Sequence, residues 1–130
     1  GSNKHKETDK NMEDKRHRVT WEAYTTTWSG IASETRKTTL EENLNSDCTY
    51  TDPNIQTKGY QSLSDYMVQF QQGFSGCKFV TTDFIAHHNQ SLAHWNMVNS
   101  EGEILSKGAS FGEYGIDGRL TRTTGFFWDA

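Results

Sequence analysis

Four runs in the second half of the chain decide how the fold is read: Cys77–His88 (CKFVTTDFIAHH), Ser91–Val98 (SLAHWNMV), Glu103–Tyr114 (EILSKGASFGEY) and Arg119–Trp128 (RLTRTTGFFW). Each is rich in β-branched or aromatic residues and free of proline. Turn signals separate them at Asn89-Gln90, Ser100-Glu101-Gly102 and Asp117-Gly118. This is the pattern of a four-stranded antiparallel meander. Upstream the period changes. Trp21, Tyr24, Trp28 and Ile31 recur at steps of three, four and three, one face of a helix. A second helix fits Glu34 to Asn45, with Leu40 and Leu44 on its buried side. Gly59 opens a third, on which Leu63, Tyr66, Met67 and Phe70 share a face. Between them Cys48 to Asp52 reads as a short strand, stopped by Asp52-Pro53 because the residue before proline avoids the α region. The expectation is an α+β fold: a curved antiparallel sheet, made of the meander plus the short strand, wrapped around three N-terminal helices.

The 130 residues suit one domain, and their charge is unevenly placed. Residues 3–18 carry six basic and four acidic side chains and one apolar one, Met12, so residues 1–18 read as a charged tail, with Gly1-Ser2 an expression scar. The domain proper is expected over 19–130, where seven basic residues face 13 acidic ones, a net charge of −6, and where all 16 aromatic residues lie. Such a surface repels phosphate backbones, which argues against nucleic acid as a partner. No run of about 18 apolar residues offers a membrane span. Cys48 and Cys77 have no metal-ligand spacing and fit a reduced, cytoplasmic protein.

Pairing the strands through two-residue loops sets Trp95 opposite Ser106, Ser91 opposite Ser110, and Phe84 opposite Trp95. Since side chains alternate, Phe84, Ala86, His88, Ser91, Trp95, Met97, Ser106 and Ser110 share one face. Gly108 and Ser110 beside large rings leave room there for a pocket. Ile85, His87, Leu92, His94, Lys107 and Phe111 take the other face, whose apolar members call for a cover: a homodimer through the outer sheet face. His87 and His88 point to opposite faces of an extended strand, so the sequence holds no metal site. Asp52-Pro53 also reads simply as a turn opener.

Three elements resemble a known group: Tyr50-Thr51-Asp52-Pro53 after two helices, Gly59 opening a helix toward Phe70, and Gly108-Ala109-Ser110-Phe111 leading through Asp117-Gly118-Arg119-Leu120 to Gly125-Phe126-Phe127. Their order and spacing resemble the nuclear transport factor 2-like superfamily, and within it the SnoaL-like polyketide cyclase and ketosteroid isomerase branch. The resemblance implies a cone closed by helices, usually dimeric, and a cofactor-independent isomerase, cyclase or dehydratase that moves a proton on a small hydrophobic or aromatic carbonyl compound. It places Asp52 at the general base. Trp28 and Ser110 stand where the branch has oxyanion donors, and His88 loosely matches the acid–base partner of a dehydratase branch. Asp52 and His88 are thus the catalytic candidates. Tyr24, Trp28, Tyr50, Tyr66, Phe70, Phe84, Trp95, Met97, Ser110 and Phe127 are the ligand-binding candidates. The same fold also hosts non-catalytic small-molecule binders and interaction modules with a vestigial cavity, so three readings stay open.

Overall fold

In the computed structural model, which describes residues 2–128 and the side chains of residues 12–128, the chain forms three helices and six strands. In order these are α1 (Ser2–Thr26), α2 (Ser33–Asn43), β1 (Leu44–Asp52), β2 (Ile55–Lys58), α3 (Tyr60–Gly73), β3 (Lys78–His87), β4 (Gln90–Val98), β5 (Ile104–Tyr114) and β6 (Leu120–Phe126). The strands make one sheet in the order β2-β1-β6-β5-β4-β3, an open curve whose concave side the helices fill. The α+β architecture and the β3–β6 meander are as expected from the periodicity. Among the described residues, no helix is long and apolar enough to cross a membrane.

Three features correct the expectation. The sheet is mixed: β1 pairs with β6 in parallel, with Tyr50 beside Thr123. The short strand is one arm of a hairpin, because Pro53-Asn54 turns the chain back and β2 pairs with β1 through Asp52↔Ile55 and Tyr50↔Thr57. The third concerns α1, which ends at Thr26, so Trp28 and Ile31 follow it outside the helix; upstream it is one continuous helix, and His17 is only 4% exposed. Its ring stacks on Tyr114 with centroids 4.0 Å apart, and the Tyr114 hydroxyl bonds to Ser91 Oγ at 2.8 Å. The tail reading for residues 1–11 concerns side chains outside the described residues.

Strand register differs from the two-residue-loop arithmetic by two positions at both hairpins. Trp95 opposes Gly108 and Met97 opposes Ser106. The β4–β5 loop is longer because Asn99 replaces ladder bonds with its side chain, whose Oδ1 accepts the N–H groups of Glu101 and Glu103. The β3–β4 turn is His88-Asn89, both at positive φ (50° and 57°), the geometry that matches strand twist in a tight hairpin. A shift of two keeps each side chain on its face, so the pocket-side assignment of Trp95, Met97 and Ser110 survives. A bulge between Thr81 and Asp83 changes the parity within β3 and turns Phe79 inward.

The core joins helix to sheet through Trp21, Tyr24, Leu40, Leu44, Leu63, Met67 and Leu120. Arg36 is buried with them. Its guanidinium donates to the Thr27 carbonyl at 2.9 Å and the Ser29 carbonyl at 3.0 Å, satisfying acceptors that the end of α1 leaves without helical partners. This pins the chain just where Trp28 enters the interior.

Candidate functional site

Alternation along β1 puts Cys48, Tyr50 and Asp52 on the concave side. Pro53 then ends the strand, and the Asp52 carboxylate folds over the turn. Oδ1 accepts the backbone N–H groups of Asn54 (2.8 Å) and Ile55 (3.1 Å). Oδ2 accepts two phenols, Tyr50 at 2.6 Å from its own strand and Tyr66 at 3.0 Å from α3. One oxygen thus closes the turn, and the other takes the two phenols on the cavity side. A carboxylate offers about four acceptor positions, and all four are taken by donors. Burial first, and then the neighbouring Tyr24, the Asp52 hydrogen bond and the Asp52 charge, hold the Tyr50 hydroxyl far above the ordinary phenol range, so it stays a donor.

Asp52 sits at the end of a cavity of about 640 Å³, well within the usual size for a small-molecule site. The walls are aromatic rings, several of them edge-on to one another. Trp28 meets Tyr66 and Phe70 edge-on, each at 5.8 Å and 87°, and Phe79 meets Trp95 at 5.0 Å and 84°. Phe127 closes the far side against Trp95, at 6.1 Å. Small residues keep the space open. A side chain at Gly108 would run into the Trp95 ring, and a methyl at Gly125 would touch Ser110 Oγ, Asp52 and Tyr50 Oη together. The polar end of the cavity thus comes from β1, α3, β5 and β6.

Of the ligand-binding candidates, Tyr24, Trp28, Tyr50, Tyr66, Phe70, Trp95, Met97, Ser110 and Phe127 line this cavity, as does Asp52. Two readings are corrected. His88 stands exposed in the β3–β4 turn and does not line the cavity, because its positive φ takes it out of the strand's alternation. Phe84 packs against the core, with the Arg18 guanidinium 5.9 Å above its ring. The same turn brings His87 and His88 together, Nδ1 to Nδ1 at 3.0 Å, where an extended strand would have kept them on opposite faces. Trp28 is not available as an oxyanion donor either: its indole N–H goes to Tyr24 Oη at 3.1 Å. Ser110 Oγ accepts the Trp95 N–H at 3.0 Å.

Phe79 and Trp128 line the cavity without having been candidates. Phe79 is hidden by the bulge. Trp128 lies at the rim, 93% exposed, just beyond the last strand. With Trp21, Trp28 and Trp95 it completes a wall that all four tryptophans of the chain contribute to.

No family model matches the chain, and no curated protein matches it. Solved structures do. A SnoaL-like family protein from Agrobacterium tumefaciens superposes with a TM-score of 0.81 at 22% identity, over 88% of this chain and 99% of that one. An NTF2-like protein of unknown function from Cytophaga hutchinsonii gives 0.65 at 13% identity, over 86% and 89%. A hypothetical protein with a ketosteroid isomerase-like fold from Catenulispora acidiphila, in complex with trimethylamine, gives 0.68 at 13% identity, over 83% and 84%. Similarity at this level of identity speaks to architecture, and the architecture is clear: the chain has the nuclear transport factor 2-like fold, the α+β cone of the SnoaL-like proteins.

Proposed function

We propose that the protein binds a small, largely apolar molecule in the aromatic cavity, with the ligand's polar end toward Tyr50, Asp52, Tyr66 and Ser110. The observation that carries this reading is the open space itself: about 640 Å³ walled mainly by aromatic rings, with the Asp52 carboxylate and its phenol donors set in the lining. A vestigial cavity would be filled by side chains. The protein from Catenulispora acidiphila, known in complex with trimethylamine, is one chain of this fold that holds a small molecule.

Because every tryptophan lines the cavity, intrinsic fluorescence reports on occupancy. Titration with acetophenone should quench it in a saturable way. Linear quenching, no different from that of free N-acetyltryptophanamide, would contradict the reading.

A second reading makes the protein a cofactor-independent isomerase, cyclase or dehydratase with Asp52 as general base. Burial of Asp52 at the end of an aromatic cavity favours it. Against it, both oxygens already hold two donors, so accepting a substrate proton requires the Tyr50 or Tyr66 hydroxyl to swing away. Asp52→Asn separates the two readings. An enzyme using this base should lose about 10²–10⁴-fold in rate, whereas a binding protein should show no turnover of a β,γ-unsaturated ketone before or after the change.

We also infer a homodimer through the outer sheet face, where Ile85 and Phe126 are exposed and Leu92 and Phe111 half-buried. The contact would be isologous. Sedimentation at micromolar concentration should give twice 14.8 kDa. A clean species at the chain mass would contradict the dimer.

A further inference from the structure

We propose that the cavity's ligand carries a positive charge: a small ammonium compound with an apolar or aromatic body. This rests on the reading of the cavity as a ligand site and adds the charge.

The first argument is the charge inventory. Asp52 is 8% exposed and faces the cavity, whose lining residues include no Lys, Arg or His. None of the ion pairs among the described residues involves it. Its four hydrogen bonds come from two phenols and two amides, all neutral. They fill its lone pairs and leave its charge. An ionised group held out of water without an opposite charge is unfavourable, and a cationic ligand removes that penalty.

The second argument is the wall. Trp28, Tyr50, Tyr66, Phe79, Trp95 and Phe127 line the space, their rings tilted or edge-on to one another. Ring faces are electron-rich and attract a cation within about 6 Å of the centroid, most strongly where water is excluded. Tyr50 and Tyr66 donate their hydroxyl hydrogens to a carboxylate, which pushes electron density back into both rings.

The third argument is that the aromatic part of the wall withholds donors: a carbonyl or carboxylate ligand needs them, and those of the rings around Asp52 are already committed. Trp28 gives its N–H to Tyr24, Trp95 to Ser110, and Thr25 its hydroxyl to the Glu22 carbonyl. The Ser106 and Ser110 hydroxyls, the Asn54 amide and the Trp128 indole N–H also line the cavity and remain to orient an uncharged polar group on the ligand's body. Outside the cavity, the net charge of −6 over residues 19–130 attracts cations and repels anions on approach.

The test titrates tryptophan fluorescence of the full chain with phenyltrimethylammonium and, separately, with its neutral isostere tert-butylbenzene. The cation should bind at least tenfold more tightly. In Asp52→Asn that preference should shrink by about tenfold or more, while tert-butylbenzene affinity stays unchanged. Equal or tighter binding of tert-butylbenzene by the unaltered protein would overturn the charge assignment and leave the cavity reading standing. Binding of neither compound would overturn both. A preference that survives Asp52→Asn undiminished, in a variant whose far-UV circular dichroism is unchanged, would also overturn the role given to the carboxylate. The comparison in the unaltered protein decides the matter even if the variant does not fold.

Discussion

Gly108→Val should lower the melting temperature by roughly 10 °C and abolish ligand-induced quenching. Gly108 lies opposite Trp95 across β4 and β5. A Cβ there would come 2.3 and 2.5 Å from two atoms of the Trp95 ring and 2.7 Å from the Phe126 carbonyl oxygen. One neighbour is backbone in a paired strand and cannot give way, so the indole has to move. Moving it breaks the N–H bond to Ser110 and the edge contact with Phe79, and sends the ring into the cavity. Overpacking of this kind costs about 1–3 kcal/mol, and a lost buried hydrogen bond adds about 1. In a domain between the small and mid-size classes each kcal/mol is worth roughly 2–8 °C. Gly73→Ala is the matched control, since nothing lies within 4 Å of a Cβ at that position and little change is expected there. A Gly108→Val protein that melts with the unaltered one and still binds ligand would show that Trp95 does not shape the cavity as described.

A sharp alkaline transition is the second large effect. Burial pushes the Cys48 thiol up to about 12 and lifts the hydroxyls of Tyr24, Tyr50 and Tyr114 well above the phenol range. In the unfolded chain, thiols ionise at about 8.5 and phenols at about 10. The folded state therefore holds these protons longer than the unfolded state does. Stability is complete below about pH 8.5 and falls as pH rises, by about 1.4 kcal/mol per pH unit for each group that ionises only on unfolding. With all four contributing, the slope above about pH 10 reaches roughly 5 kcal/mol per unit, enough to consume the 5–15 kcal/mol of an ordinary domain before about pH 12–13. Tyrosinate absorbance at 295 nm from Tyr24, Tyr50 and Tyr114 should appear as one cooperative step, together with the loss of far-UV circular dichroism. All five tyrosines titrating smoothly near pH 10 in a folded protein would contradict their burial.

The helices and the meander were readable because each is long and strongly periodic. The Trp21–Tyr24–Trp28 stripe and the runs around Phe84, Trp95 and Phe111 carry their period in local sequence. What escaped has no local signature or runs against one. The parallel pairing of β1 with β6 joins residues more than 70 positions apart. β2 is four residues long, too short for alternation to be counted. His17 hides in a charged stretch, although stacking on Tyr114 makes it part of the core.

The site divided in the same way. Asp52 came from the resemblance carried by Tyr50-Thr51-Asp52-Pro53, whereas the ring face of α3 followed from spacing. So did Trp95 and Ser110, since both loop errors were even-numbered and side-chain parity was kept. His88 was lost to a turn that holds histidine at a positive φ, an uncommon conformation for a residue other than Gly. Phe79 was lost to a bulge that nothing in the run KFVTTDF announces. Trp28 lines the cavity, but its N–H is committed to Tyr24, four residues back. Spacing assigns a side chain to a region; it does not say which hydrogen bond that side chain has already made.

The most direct test is a crystal structure of the protein grown with phenyltrimethylammonium chloride. The account predicts the compound inside the cavity between Trp28 and Trp95, its ammonium within about 6 Å of ring centroids and turned toward Asp52, with Tyr50 and Tyr66 still donating to the carboxylate. A cavity closed by inward collapse of Phe127 and Trp128, or a ligand bound only outside it, would contradict the account.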